Sequence, residues 1–195
     1  MRFAATTVAA ATSNTYATYN PGDEAPSHVA LSNGNLTVVS SSGSGVRGTI
    51  GKSSGKWYYE VTVNQLESGY PPVVGIAGGS NQMIDGFAGS SAFMFWGGFG
   101  GQIVSNNDTA VPYGENVGLG DVMGIAVDLD NRQITFYHNG VSMGVAFTSA
   151  TLPAGTYYPF ITDVGVAGTN SSTTNFGQNP FRYAVPAGFQ AGWYQ

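Results

Sequence analysis

At 195 residues the chain is long enough for one domain with a substantial core, roughly 70% of its unfolded surface being buried at this size, and it is short for two. Its net charge of −5, with only six basic residues, excludes the clustered Lys and Arg that displace counterions from nucleic acid. No run approaches the ~20 apolar residues that cross a bilayer, so membrane insertion is not expected. The absence of cysteine excludes disulfides and thiolate metal sites.

With 42% hydrophobic residues, 9% charged, 29 glycines and 13% aromatics, the composition reads as aromatic strands joined by many tight turns, an all-β sandwich or barrel. Ser, Thr, Asn and Gln supply the polarity, which makes a neutral, hydrogen-bonding surface suited to packing against proteins or sugars.

Residues 1–18 read as an N-terminal arm or edge strand. The start, MRFAATTVAAA, has two readings: a secretory signal, or an arm that pairs with the domain or with a neighbouring subunit. Tyr19 to Asp23 is a turn, and His28–Leu31 and Leu36–Val39 flank Ser32-Asn33-Gly34-Asn35 as a hairpin. The polar run Ser40 to Gly45 is a loop. GKSSGK at 51–56 is no phosphate loop, because the spacing is wrong and Lys56 opens a strand, Trp57–Val63, where a helix is required. In that strand Trp57, Tyr59, Val61 and Val63 share one face, opposite Tyr58, Glu60 and Thr62. Arg47, Lys52 and Lys56 form the only local basic group and read as a solvated loop.

After the rigid loop Gly69-Tyr70-Pro71-Pro72, Val73–Ala77 is a buried strand. Phe93 and Phe95 alternate with Met94 and Trp96, so one set is exposed unless both faces are covered. Gly97, Gly98, Gly100 and Gly101 then allow a flexible or sharply curved loop carrying Phe99. From Gly120 to Gly144 the pattern is clearest: Ile125, Val127 and Leu129 alternate with small or polar residues. Asp130–Gln133 turns the chain, and Ile134, Phe136 and His138 alternate again. Asn139-Gly140 favours a tight turn into a short third strand from Val141. Tyr157–Ile161 is a strand, Gly165–Thr173 a polar loop, and the tail from Tyr183 to Gln195 brings Trp193 and Tyr194, which need somewhere to pack. No convincing helical periodicity and no repeat appear.

The chemistry of the chain is sparse. Asp128 and Asp130 share a strand face ~7 Å apart, a spacing that a glycosidase permits. The competing reading makes Asp128 a half-exposed strand residue and Asp130 the opener of a turn. Asp128-Leu129-Asp130-Asn131 lacks the glycine and the closing acid of a calcium loop. His28 and His138 have no recognisable triad partners and read as strand residues. No catalytic residue, metal site or cofactor is expected.

Five stretches carry a family resemblance: GKWYYEVTV at 55–63, VVGIAGG at 73–79, the run 120–144, TYYPFITD at 156–163 and NFGQNPFRY at 175–183. In this order they resemble the SPRY domain, and the Gly- and Thr-rich style resembles SPRY domains of bacteriophage virion and tail proteins. The resemblance implies a SPRY-like (concanavalin-like) sandwich of two antiparallel sheets over residues 19–195, with Glu60 in an internal hydrogen-bonding network. It also implies non-enzymatic recognition through loops at one end of the sandwich. By position, the ligand- or partner-binding candidates are Tyr70, Phe87, Trp96, Phe99, Asn106, Asn107, Thr169 and Asn170, with core or subunit contacts as the competing role. Residues 78–110 depart most from the family pattern.

The expected function is that of a virion-associated structural protein, made in the host cytoplasm, that decorates capsid or tail. Its partners would be other virion proteins, further copies of itself, and a host-surface glycan or protein. The alternatives are a receptor- or glycan-binding tail fibre protein and a glycan hydrolase.

Overall fold

The computed structural model describes residues 14–23, 28–41, 43–66, 70–79, 91–105, 109–163 and 169–195. Among them there is no helix, and strands with alternating or continuous burial form two sheets. One sheet runs, in spatial order, β1 (Val29–Ser32), β2 (Thr37–Ser40), β13 (Asn170–Asn175), β4 (Lys56–Gln65), β9 (Val122–Asp128), β10 (Gln133–His138) and β11 (Val141–Phe147). The other runs β3 (Gly45–Arg47), β12 (Tyr157–Thr162), β5 (Val73–Gly78), β6 (Ala92–Trp96), β7 (Gln102–Ser105) and β8 (Val111–Pro112). All these pairings are antiparallel, whereas the short β14 (Gln190–Ala191) lies parallel to β4.

The expected hairpin about Asn139-Gly140 is present, with φ of 47° and 81° at the two turn residues, the left-handed geometry that Asn and Gly tolerate best. Tyr59, Val61 and Val63 of β4, Ile125 and Val127 of β9 and Phe136 of β10 meet Ile76 of β5, Phe93 and Phe95 of β6 and Ile161 of β12 in one core. A second cluster, Val73, Ala77, Met94 and Phe160, buries the other face of the second sheet. Both faces of β6 are therefore covered, which resolves the alternation of Phe93 and Phe95 with Met94 and Trp96.

The outer face of β4 is buried as well. Beyond β13 the chain crosses it, setting Phe181 edge-on to Tyr58 with ring centroids 5.2 Å apart. Glu60 accepts hydrogen bonds there from Tyr58 Oη (3.1 Å) and from the backbone N–H groups of Arg182 (2.9 Å) and Tyr183 (3.1 Å). Burial and then the Glu60 charge push the Tyr58 phenol well above its ordinary value. Trp193 finds its place in the core, fully buried, with Nε1 donating to Ile50 O at 2.8 Å. Tyr194 packs edge-on against Tyr16 and Trp57.

Three sequence expectations change. Residues 170–173 belong to β13 and not to a loop. Asp128 is buried, not half-exposed, and binds Lys56 Nζ (2.9 Å) and the backbone and side-chain nitrogens of Asn131 (2.9 and 2.8 Å). The three basic residues are each engaged: Arg47 forms a bidentate pair with Asp23, Lys56 holds Asp128, and Lys52 Nζ sits 4.0 Å from the centre of a Trp57 ring.

Candidate functional site

Strand register collects six connections at one end of the sandwich. Val73 pairs with both Trp96 and Thr162, Gly45 with Thr162, Ser40 with Asn170, and Thr62 with Val122. The β2–β3, β4–β5, β6–β7, β8–β9, β10–β11 and β12–β13 connections therefore share this loop end.

Three candidates chosen from sequence come together here. Trp96 is the last residue of β6, Phe99 follows in the β6–β7 loop, and Tyr70 arrives just before β5. The Trp96 and Phe99 rings meet edge-on at 4.9 Å, Tyr70 and Phe99 are tilted at 5.4 Å, and Tyr70 stacks nearly parallel to Trp96 at 6.4 Å. Edge-on and offset pairs of this kind are the favoured aromatic geometries. Phe99 is 64% exposed, so the ridge presents its ring to solvent.

The loop that holds Phe99 is sharply curved and tied down. Phe99, Gly100 and Gly101 take φ of 52°, 87° and 78° in succession. Glycine adopts this region freely, but a phenylalanine there costs about 1–2 kcal/mol. The strain is held by Gly101 N–H donating to Gly98 O (3.0 Å), Tyr113 N–H to Gly101 O (2.8 Å), Val117 N–H to Gly97 O (2.8 Å) and Gly100 N–H to Asn116 Oδ1 (2.7 Å).

The other candidates divide. Asn170 is at the same end but buried, its amide donating to Asp163 Oδ2 at 2.6 Å, so it braces the β12–β13 connection and is not an exposed contact. Thr169 beside it is half-buried in a shallow depression with His28 and Ser41. Phe87, Asn106 and Asn107 lie outside the described residues.

A polar cluster at this end went unread in the sequence. His138 Nε2 lies 2.9 Å from Asp121 Oδ2 and Nδ1 lies 3.2 Å from Glu115 Oε2. Asn139 Nδ2 donates to Asp121 Oδ1 (2.7 Å), while Asn139 Oδ1 accepts from Val122 N–H (2.9 Å) and Tyr183 Oη (3.3 Å). Burial works against the charged imidazole, but the hydrogen bonds to Asp121 and Glu115 outweigh it and raise the His138 pKa above its usual 6.5. Burial likewise opposes the Asp121 carboxylate, yet bonds from Asn139, Gly118 N–H and His138 hold its pKa below 3.8. The sequence marks only His138-Asn139 at the hairpin turn; Glu115 and Asp121 lie 23 and 17 residues away and are brought to it by the fold.

Chemically, the loop end offers an apolar ridge beside a carboxylate-flanked imidazole. No hydroxyl or thiol nucleophile is bonded to that imidazole among the described residues. The same residues contain no group of three His, Asp or Glu side chains placed to hold a metal ion.

The sequence signature of the SPRY domain matches residues 56–179. This chain belongs to the SPRY domain family. It is 36% identical over 138 residues, 70% of its own length, to the E3 ubiquitin-protein ligase RKP of Arabidopsis thaliana. It is also 36% identical over 148 residues, 74% of its length, to the ATP-dependent RNA helicase Ddx1 of Drosophila melanogaster. The chain spans only 10% and 19% of those two proteins. Among solved structures, the SPRY domain of human HERC1 superposes with a TM-score of 0.68 at 18% identity, covering 83% of this chain and 99% of that one. The TRIM65 PSpry domain gives 0.63 at 18% identity, covering 83% and 92%. SPRY domains are protein-interaction modules, and the ridge at the loop end of this one has the chemistry of a contact surface.

Proposed function

We propose that this SPRY domain is a non-enzymatic recognition module that grips a protein partner through the Tyr70, Trp96 and Phe99 ridge, as a decoration or accessory subunit of a bacteriophage particle. The observation that carries the site is Phe99: an exposed ring on a left-handed backbone, kept there by a loop that spends its hydrogen bonds on the curvature. Strain stored at an exposed aromatic position is a mark of function, and large aromatic side chains make the anchors of protein interfaces. The virion setting is supported by the sparsely charged, Gly-, Ser- and Thr-rich style of the chain. Against hydrolysis stands Asp128, whose oxygens are already committed to Lys56 and Asn131.

The test compares labelled protein with a Phe99→Asn variant, which keeps a residue tolerant of left-handed backbone and removes the ring. Retention on purified phage particles, lost in the variant, is the expected outcome. Binding to susceptible cells but not to particles would make it a receptor-binding protein instead. Retention that the variant leaves unchanged would remove the ridge from the site.

A further inference from the structure

Two turns built on the same dipeptide differ in what holds them. Asn-Gly occurs twice in the chain, as Asn33-Gly34 between β1 and β2 and as Asn139-Gly140 between β10 and β11. Both pairs take left-handed backbone, with φ of 52° and 62° in the first and 47° and 81° in the second. The dipeptide is also open to self-modification. Because glycine carries no Cβ to obstruct the approach, its backbone nitrogen can reach the carboxamide carbon of the asparagine before it.

The surroundings of the two asparagines are opposite. Asn139 is half-buried, and both polar atoms of its carboxamide are engaged, Nδ2 by Asp121 and His138 and Oδ1 by Val122 N–H and Tyr183 Oη. Its own backbone N–H donates to Val122 O (2.9 Å), and the Tyr183 ring lies against Gly140. The carboxamide cannot swing toward the Gly140 nitrogen until these bonds open. Asn33 is exposed, and among the described residues one bond reaches its carboxamide, from Nδ2 to Thr37 Oγ1 at 3.5 Å. Beside Gly34 no atom lies within 4 Å of where a Cβ would stand. A single long bond at an exposed site exchanges for water at little cost, whereas a half-buried group with several partners must lose them together.

We infer that Asn33 is a site of spontaneous deamidation, and that the side-chain bonds at the β10–β11 turn protect Asn139 from the same reaction. In the first step the Gly34 nitrogen attacks Asn33 Cγ. The bond from Cγ to Nδ2 breaks, and ammonia leaves with the proton given up by Gly34, closing a succinimide. Water then opens the ring at either carbonyl, leaving aspartate or isoaspartate, and no other reactant is needed. Each event adds one carboxylate, and the isoaspartate product also adds one carbon to the main chain of the turn. That turn holds two other segments, since Asn35 O accepts from Tyr19 N–H and Leu36 O from Thr174 N–H, both at 2.9 Å. Conversion therefore accumulates with time where the β1–β2 turn clasps the rest of the sheet. Ser40 of β2 meets Asn170 at the loop end, so this turn lies at the opposite end, and the inference does not depend on the role of the ridge.

Tandem mass spectrometry of the full chain incubated at mildly alkaline pH tests the inference, with the same incubation in concentrated urea as the reference. The folded chain should convert Asn33 about tenfold or more faster than Asn139, because the bonds on Asn139 must open before its carboxamide can react. In urea the two pairs should convert at similar rates, since only the fold distinguishes them. Asp121→Ala should speed conversion of Asn139 and leave that of Asn33 unchanged. Equal rates in the folded chain would overturn the proposal. So would an Asn33 that stays intact in the fold over a time in which urea converts it. An Asn139 rate indifferent to Asp121→Ala would overturn the protective role given to its bonds.

Discussion

His138 is held by a carboxylate on each ring nitrogen, and that makes it one residue through which pH acts on this fold. Its folded pKa is raised above 6.5 by Asp121 and Glu115 despite burial, so the stabilisation is full below the unfolded value and is lost as pH rises through the folded one. Asp121 behaves oppositely: its folded pKa lies below 3.8, so its contribution is present above that value and disappears as pH falls through the lowered one. The cluster thus contributes most between about pH 4 and pH 6.5. Urea midpoints measured from pH 4 to 9 should fall across neutrality in the parent chain and lose that slope in His138→Gln. An unchanged slope in the variant would place the titration elsewhere.

At the scale of the elements, β4 is the strand on which both faces of the first sheet depend, and Glu60 is the reason its outer face can be closed. The carboxylate satisfies two backbone N–H groups of the chain that follows β13, at Arg182 and Tyr183. Glu60→Gln turns one of those acceptors into a donor facing a donor, at a cost of about 1–3 kcal/mol. Hydrogen exchange should report it as faster exchange at residues 181–183 with the β9 and β10 amides little changed. The strands built on apolar alternation, β4, β9 and β10, were legible in the sequence because each placed one hydrophobic face toward the core. β13 was not, and the reason is chemical. Its Asn170-Ser171-Ser172-Thr173-Thr174 carries hydroxyls that pair Thr173 with Thr37 (2.8 Å) and Thr174 with the buried Tyr19 phenol (2.7 Å), so a strand laddered between β2 and β4 has the composition of a loop. The site was legible to the same extent. Tyr70, Trp96 and Phe99 stand out as aromatics between glycines and prolines, whereas the His138 cluster needs Glu115 and Asp121, 23 and 17 residues upstream, which only the fold brings near.

For the whole molecule the decisive fact is that one core includes residues from both sheets and from both described ends of the chain. Ala17, Tyr19, Phe176 and Trp193 belong to the same cluster as Phe93, Ile125 and Phe136. Removing the indole should therefore be felt everywhere. Trp193→Ala empties a fully buried site and leaves Ile50 O without its donor, a loss of about 3–5 kcal/mol. Near- and far-ultraviolet circular dichroism should still melt together, at a lower temperature, because the larger of the two clusters joins both sheets. Separate transitions in the variant would show that the sheets can stand apart.

Thr15 and Gln195 exchange backbone hydrogen bonds, at 3.2 Å and 3.0 Å, with Ala17 tied to Trp193 just inside them. Thr15 and Gln195 therefore lie side by side at one place on the sandwich. A unit shaped in this way can be spliced into a bend of some larger host without prising the host's flanking segments apart, and equally it can hang from a short stalk.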